Sequence, residues 1–151
     1  MRVILQRVQR GRVTVDDETT GEIEAGFVIL VGITQADTPA HADFLARKTA
    51  HLRVFDDDDG KMNRSLLDVN GGALVVSQFT LYADSRKGRR PSYINAAPPE
   101  HAEPLVKRYA DQLQQEGVIR IEHGRFGANM QVEILNDGPV TIILDSDELM
   151  P

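Results

Sequence analysis

Short β-prone runs bounded by turn formers recur along this whole chain, about seven of them, while only two stretches carry helical spacing. A sheet must therefore organise the fold. Val3, Ile4, Leu5 and Val8 form a first strand and Arg12 to Val15, alternating apolar with polar, a second. Asp16-Asp17-Glu18-Thr19-Thr20-Gly21 is rich in turn formers and the alternation resumes over Glu22-Ile23-Glu24-Ala25, which predicts a hairpin with one wetted face. Phe27 to Ile33 and Ala73 to Leu81 read as buried strands. Further on, Met130, Val132 and Ile134 alternate with Gln131 and Glu133. After Asn136-Asp137-Gly138-Pro139 the run Val140 to Leu144 is apolar, which predicts a hairpin-like pair around an unusual turn. Thr38-Pro39 is a helix start, an N-cap hydroxyl before a proline at the first helical position, with Ala42, Leu45, Thr49 and Leu52 on one face. A second helix is expected over about Pro99 to Glu116, its buried stripe set by Leu105, Tyr109 and Leu113 and its end by Gly117. With 151 residues, 41% of them hydrophobic, the chain is long enough for one compact domain with a real core and too short for two such domains. The expected architecture is a single α+β domain over residues 1–151, a mostly antiparallel β-sheet or barrel with two helices packed outside.

Several chemistries fall away at once. The chain has no cysteine, so disulfides, thiolate zinc sites, iron–sulfur clusters and cysteine nucleophiles are excluded. Its longest apolar run, Ala25 to Ile33, is far short of the ~20 residues of a membrane-spanning helix, and no signal-peptide segment opens it, so a soluble, cytoplasmic protein is expected. Asp56 to Asp59 precede Gly60, but with that glycine at the sixth position of a calcium loop the first and twelfth ligands would be Phe55 and Leu66. An acidic, solvated turn is the reading. None of His41, His51, His101 and His123 is paired at metal-binding spacing, and Ser77 and Ser92 lack the glycine-flanked elbow of a serine nucleophile. Neither metal nor cofactor is expected. The net charge of −6 repels nucleic acid except at a local patch, and the one dense basic run is Arg86-Lys87-Gly88-Arg89-Arg90.

Two segments resist a packing explanation. In Ser77-Gln78-Phe79-Thr80-Leu81 an apolar strand abruptly carries Ser, Gln and Thr, and each buried polar group without a partner costs ~1–3 kcal/mol. These residues either satisfy neighbours or line a wet pocket. In Asn136-Asp137-Gly138-Pro139-Val140-Thr141 a proline that cannot donate to a ladder sits between two strands, after a residue whose peptide bond can be cis at only ~0.5–1 kcal/mol.

Together with Met1-Arg2-Val3, Gly60-Lys61-Met62-Asn63 and Phe126-Gly127-Ala128, these two segments closely resemble the D-aminoacyl-tRNA deacylase family over essentially the full length. The Ser-Gln-Phe-Thr form is that of the D-specific enzymes rather than the Pro-Gln-Ala-Thr form of their animal paralogue. The resemblance implies an editing hydrolase that cleaves the ester of D-aminoacyl-tRNA, and of glycyl-tRNA, acting as a homodimer. It implies that Gly138-Pro139 is cis and reaches into the partner's pocket, where main-chain carbonyls crowd the place of an L side chain. Ser77, Gln78, Phe79 and Thr80 correspond to the catalytic pocket, whose backbone N–H groups stabilise the oxyanion. Asn136 and Thr141 then fix the segment carrying Gly138-Pro139, and Arg7 braces its carbonyls. The terminal adenosine's own 2′-hydroxyl assists water, which accounts for the missing triad. Acceptor-stem phosphates would meet Arg86, Lys87, Arg89 and Arg90. Two rivals remain open here: an esterase with Thr80 as nucleophile, and a nucleic-acid-binding protein without catalysis.

Overall fold

The computed structural model describes residues 1–151. Strand β1 (Arg2–Val15) is the spine: it pairs antiparallel with β3 (Gly26–Gly32) through its first half, with β2 (Glu18–Ile23) through its second, and with β8 (Gln131–Asp145) along nearly its whole length. β6 (Gly72–Ser77) lies beside β3 and β7 (Ile121–His123) beside β6, both parallel. The sheet is thus mostly antiparallel, as expected, with two parallel pairings on its β3–β6–β7 side, and the physical reason for those two is the connections. Helix α1 (Pro39–His51) and the small hairpin β4 (Phe55–Asp56) and β5 (Met62–Arg64) return the chain from β3 to β6, and helix α2 (Pro99–Glu116) returns it from β6 to β7. Crossovers of that length permit parallel neighbours, whose two buried faces explain the unbroken apolar runs.

Two predicted breaks turn out to be bends within single strands. Val3–Val8 and Arg12–Val15 are one strand, because β8 pairs with both and carries the ladder past a register shift between Val8 and Arg10. Likewise the two C-terminal runs are one strand, not a hairpin. Thr141 stands opposite Gln6 and Asn136 opposite Val8, so that residues 137–140 bulge out opposite the single residue Arg7. The predicted turn at Asp16-Asp17 is present, both residues having positive φ, as a two-residue hairpin requires.

Alternation along the strands builds two cores. Phe27, Ile29, Ala73 and Val75 face α1 and α2, where Leu45, Ala46, Leu105, Tyr109 and Leu113 complete the larger cluster. Thr49, on the predicted face, is fully buried and bonds the Tyr109 hydroxyl at 2.7 Å. On the opposite face Val8, Val13, Ile23, Val28, Leu74 and Val76 form the smaller cluster, inside the curl of the sheet. The curl nearly closes where β2 meets β7: a Cβ at Gly21 would sit 2.6 Å from the His123 carbonyl oxygen, so only glycine admits this approach. α2 ends at Gly117 with φ 114°, and a short third helix, α3 (Ser146–Leu149), follows β8. No helix is long and apolar enough to cross a membrane.

Candidate active site

β6 ends at Ser77, four residues before the strand predicted from its apolar composition, and the chain turns into a 3-10 helix over Phe79–Tyr82. Leu81 N–H donates to the Gln78 carbonyl and Gln78 N–H to the Val31 carbonyl at 2.8 Å, so the turn folds over the end of β3. Gly32 makes room for it: a Cβ there would lie 2.9 Å from Leu81 Cβ and 3.2 Å from the Gln78 oxygen. Because the turn begins at Phe79, the N–H groups of Phe79 and Thr80 have no acceptor within it. Gln78 Nε2 donates to Thr80 Oγ1, and no acidic or imidazole side chain bonds that hydroxyl. At the end of the turn the Tyr82 hydroxyl is buried without a partner, and burial pushes its pKa up.

Ser77, Gln78 and Phe79 form one wall of a largely apolar pocket of about 350 Å³, completed by Tyr93, Ala97, Ala102, Val106 and Phe126. A wider cleft of about 550 Å³, carrying Glu100, Lys107 and His123, adjoins it across Ser77 and Val106. Phe79 is 56% exposed and meets Tyr93 edge to face at 5.2 Å on the rim. Sequence reading missed Tyr93, Ala102 and Val106, which the loop after the basic run and the first turns of α2 deliver. Their only sequence signal is the helix start at Pro98-Pro99.

The Gly138-Pro139 peptide bond is cis, and both residues are exposed on β8, which has a neighbour on one side only. Gly138 has φ 127°, and a Cβ there would lie 2.8 Å from Val140 Cγ2 and 3.0 Å from Val140 N. Arg7, only 7% exposed, stands under the bulge: its Nε donates to the Asp137 carbonyl at 3.0 Å and its Nη1 to the Val54 carbonyl at 2.8 Å. Thr141 Oγ1 donates to the Gln6 side chain on β1, beside the bulge. Asn136, exposed, pairs with Val8 through its backbone.

The two segments do not meet within one chain. Gly138-Pro139 lies opposite Arg7, Arg7 pairs with Phe27, and Phe27 with Ala73, whereas Ser77 pairs with Val31. Three strand spacings and four residues along β3 thus separate them, about 20 Å over the sheet. Neither Gly138 nor Pro139 lines the pocket.

Arg86, Lys87, Arg89 and Arg90 are exposed on the loop after the turn, which is closed at its base by paired backbone bonds between Asp84 and Ser92. Arg86 is held by Asp84 through Nε at 2.9 Å and Nη2 at 2.6 Å, and these bonds hold the Asp84 carboxyl down at about 2. That leaves Lys87, Arg89 and Arg90 as the uncompensated charges of the run.

The D-Tyr-tRNA(Tyr) deacylase family profile matches residues 4–145, which include both segments. The chain belongs to that family. As a member it is a carboxylic ester hydrolase of the D-aminoacyl-tRNA deacylase class. Proteins named D-aminoacyl-tRNA deacylase from Thermus aquaticus and Thermomicrobium roseum are 57% and 60% identical to it, covering 98% and 99% of this chain and 97% and 96% of theirs. A solved structure titled c-Myc DNA Unwinding Element Binding Protein superposes with TM-score 0.90 at 42% identity, over 97% of this chain and 99% of that one. A probable eukaryotic D-amino acid tRNA deacylase shares the fold at TM-score 0.81 and 17% identity, over 95% of this chain and 97% of that one.

Proposed function

We propose that the deacylase hydrolyses the ester joining a D-amino acid, or glycine, to the terminal adenosine of tRNA. In this reading it works as a homodimer, Gly138-Pro139 of one protomer completing the pocket that Ser77, Gln78 and Phe79 wall in the other, with Thr80 in the turn behind that wall and outside the lining. The observation that carries it is the separation of about 20 Å between the two segments within one chain, with Gly138-Pro139 projecting from an edge strand. D- and L-esters carry the same atoms, so discrimination has to come from a rigid obstacle: ten-thousand-fold rejection needs ~5.5 kcal/mol, beyond the ~1–3 kcal/mol of one methylene in a pliable pocket. Main chain held by a buried guanidinium is such an obstacle. Glycine, without a side chain, passes the filter.

The N–H groups of Phe79 and Thr80 suit the oxyanion of the tetrahedral intermediate. Thr80 is poorly placed as nucleophile, since its hydroxyl accepts from an amide and touches no base. The ribose 2′-hydroxyl, adjacent to the ester, takes the part of orienting or activating water. Accordingly Thr80→Ala retains activity within about tenfold, while tRNA ending in 2′-deoxyadenosine is hydrolysed at least about a thousandfold more slowly. The opposite ranking restores the Thr80 esterase. Lys87, Arg89 and Arg90 meet acceptor-stem phosphates, a local basic patch on two protomers whose total net charge is twice −6, or −12.

Mixed dimers test the shared site. A Gln78→Ala protomer and a Gly138→Ala protomer, each impaired alone, regenerate one intact site when paired, because the first lends its Gly138 to the second's Gln78. If each site lay within one chain, mixing would restore nothing. A second reading, nucleic-acid binding without catalysis, draws on the likeness to the unwinding-element protein. Duplex DNA binding with no turnover of D-Tyr-tRNA would establish it.

A further inference from the structure

A hollow of about 490 Å³ opens along the last turns of α1 and the residues after it, lined by Phe44, Arg47, Lys48, His51, Leu52 and Arg53. No carboxylate lines it. Glu116, reaching in from α2 with its side chain 15% exposed, accepts from Arg47 at 3.3 Å and His51 at 2.9 Å, and Asp43 is occupied by both guanidinium nitrogens of Arg108 that face it. Lys48 and Arg53 take part in no ion pair, on a protein whose net charge is −6. Sequence order conceals the group, because its basic residues are interleaved with Thr49, Ala50 and Leu52; the helix brings 47, 48 and 51 to one side.

The hollow is tied to the Gly138-Pro139 edge. Arg53 immediately precedes Val54, and the same Arg7 guanidinium that holds the Val54 carbonyl holds the Asp137 carbonyl of the bulge. Asp56 and Asp137 turn towards Arg7 at 3.4 and 3.8 Å, which offsets their charge, and Asp68, which feels the Arg53 charge without pairing with it, accepts the Ser65 N–H at 2.8 Å. A favourable interaction with the α1 dipole accounts for Lys48 and His51 in the last turn, but not for Arg53 beyond it or for a wall without acid.

We infer that this hollow is a second docking surface for the phosphate backbone of the tRNA, contributed by the protomer that lends Gly138-Pro139 rather than by the one that supplies the pocket. The inference rests on the shared-site reading above. Two cations that take part in no ion pair fit phosphates, and the one aromatic ring in the lining, Phe44, is half-buried rather than presented as a stacking platform for bases. Together with Lys87, Arg89 and Arg90 of the other protomer they would hold the acceptor arm on both sides of the site.

The test is the double variant Lys48→Gln, Arg53→Gln. The ratio of kcat/KM on D-Tyr-tRNA to that on D-tyrosyl-adenosine, which has no stem, falls about tenfold, and the salt dependence of tRNA binding becomes shallower by nearly two in log–log slope, about 0.9 per lost contact. In mixed dimers with a Gln78→Ala protomer, the loss appears when the double variant is on the Gln78→Ala chain, which lends Gly138-Pro139, and not when it is on the other. An unchanged ratio and slope, or equal slowing on both substrates, overturns the docking surface. Loss following the pocket-bearing chain overturns its placement in trans. Failure of the shared-site reading shows separately, as absence of complementation between Gln78→Ala and Gly138→Ala, while the slope measured on homodimers still reports on the hollow itself.

Discussion

Residues 77–80 and 137–140 both interrupt apolar strands, yet they are held in opposite ways. The first is a packed object: a strand ends, a 3-10 turn folds over Gly32, and α2 closes the pocket from above. The second is a cantilever. Four residues leave the ladder of an edge strand, and beneath them stands one buried guanidinium. A pocket supported from many sides should keep its shape when one support is lost, whereas a bulge supported from one should not, and this contrast can be pushed until it breaks.

Removing the support has the largest expected effect. Arg7→Met keeps the apolar stem but leaves the Asp137 and Val54 carbonyls without their buried donor, at ~1–3 kcal/mol each. Urea unfolding should show a loss of ~2–5 kcal/mol, and surviving protein should hydrolyse L-aminoacyl-tRNA as well as D. Should Arg7→Met fail to fold, Arg7→Lys, which restores one donor, carries the same test. Unaltered D-over-L preference in either variant would show that the bulge does not depend on its brace. Gly138→Ala comes next, since the added methyl lies 2.8 Å from Val140 Cγ2 at a backbone angle L residues avoid. Expected are a stability loss of ~1–2 kcal/mol and a fall in D-over-L preference of about a hundredfold, or ~2.7 kcal/mol, read from initial rates on matched esters. A variant that discriminates as wild type does would place the filter elsewhere.

The same contrast explains what could be read from residues alone. Both helices with their starts, the buried faces of α1 and α2, the Asp16-Asp17 turn and the polar cluster at Ser77 to Thr80 follow from local signals, each set by neighbours a few residues away. Long-range pairing does not announce itself. Asn136-Asp137-Gly138-Pro139 has the composition of a turn, and only the partner strand β1, running on past it, makes it a bulge in one strand rather than a hairpin. The parallel placement of β6 follows from the crossover through α1, which composition leaves unstated. In the site, Tyr93, Ala102 and Val106 are ordinary loop and helix residues until the fold sets them against Ser77. The α1 hollow is hidden for the converse reason: its cations are scattered in order and gathered by helical period.

The smallest effect concerns charge near the packed segment. Asp84 holds Arg86 with its carboxylate and accepts the Arg86 N–H at 3.0 Å through the same oxygen, Oδ1, that binds Nε. Its pKa, depressed to about 2 mainly by the Arg86 side-chain hydrogen bond, means that the pair is complete at neutral pH and opens only as pH falls through that value. Asp84→Asn keeps an oxygen for the backbone N–H, and the loop base stays closed because Asp84 and Ser92 pair through their main chains. What changes is that Arg86 is released to join Lys87, Arg89 and Arg90. If this loop meets phosphates, tRNA should bind about threefold more tightly at low salt and its salt dependence should steepen by about 0.9 in log–log slope. The direction matters more than the size, because removing a carboxylate from an inert loop would raise affinity slightly through the general field without adding a released counterion. An unchanged slope would therefore remove the loop from the tRNA interface and leave the α1 hollow as the principal basic surface to test.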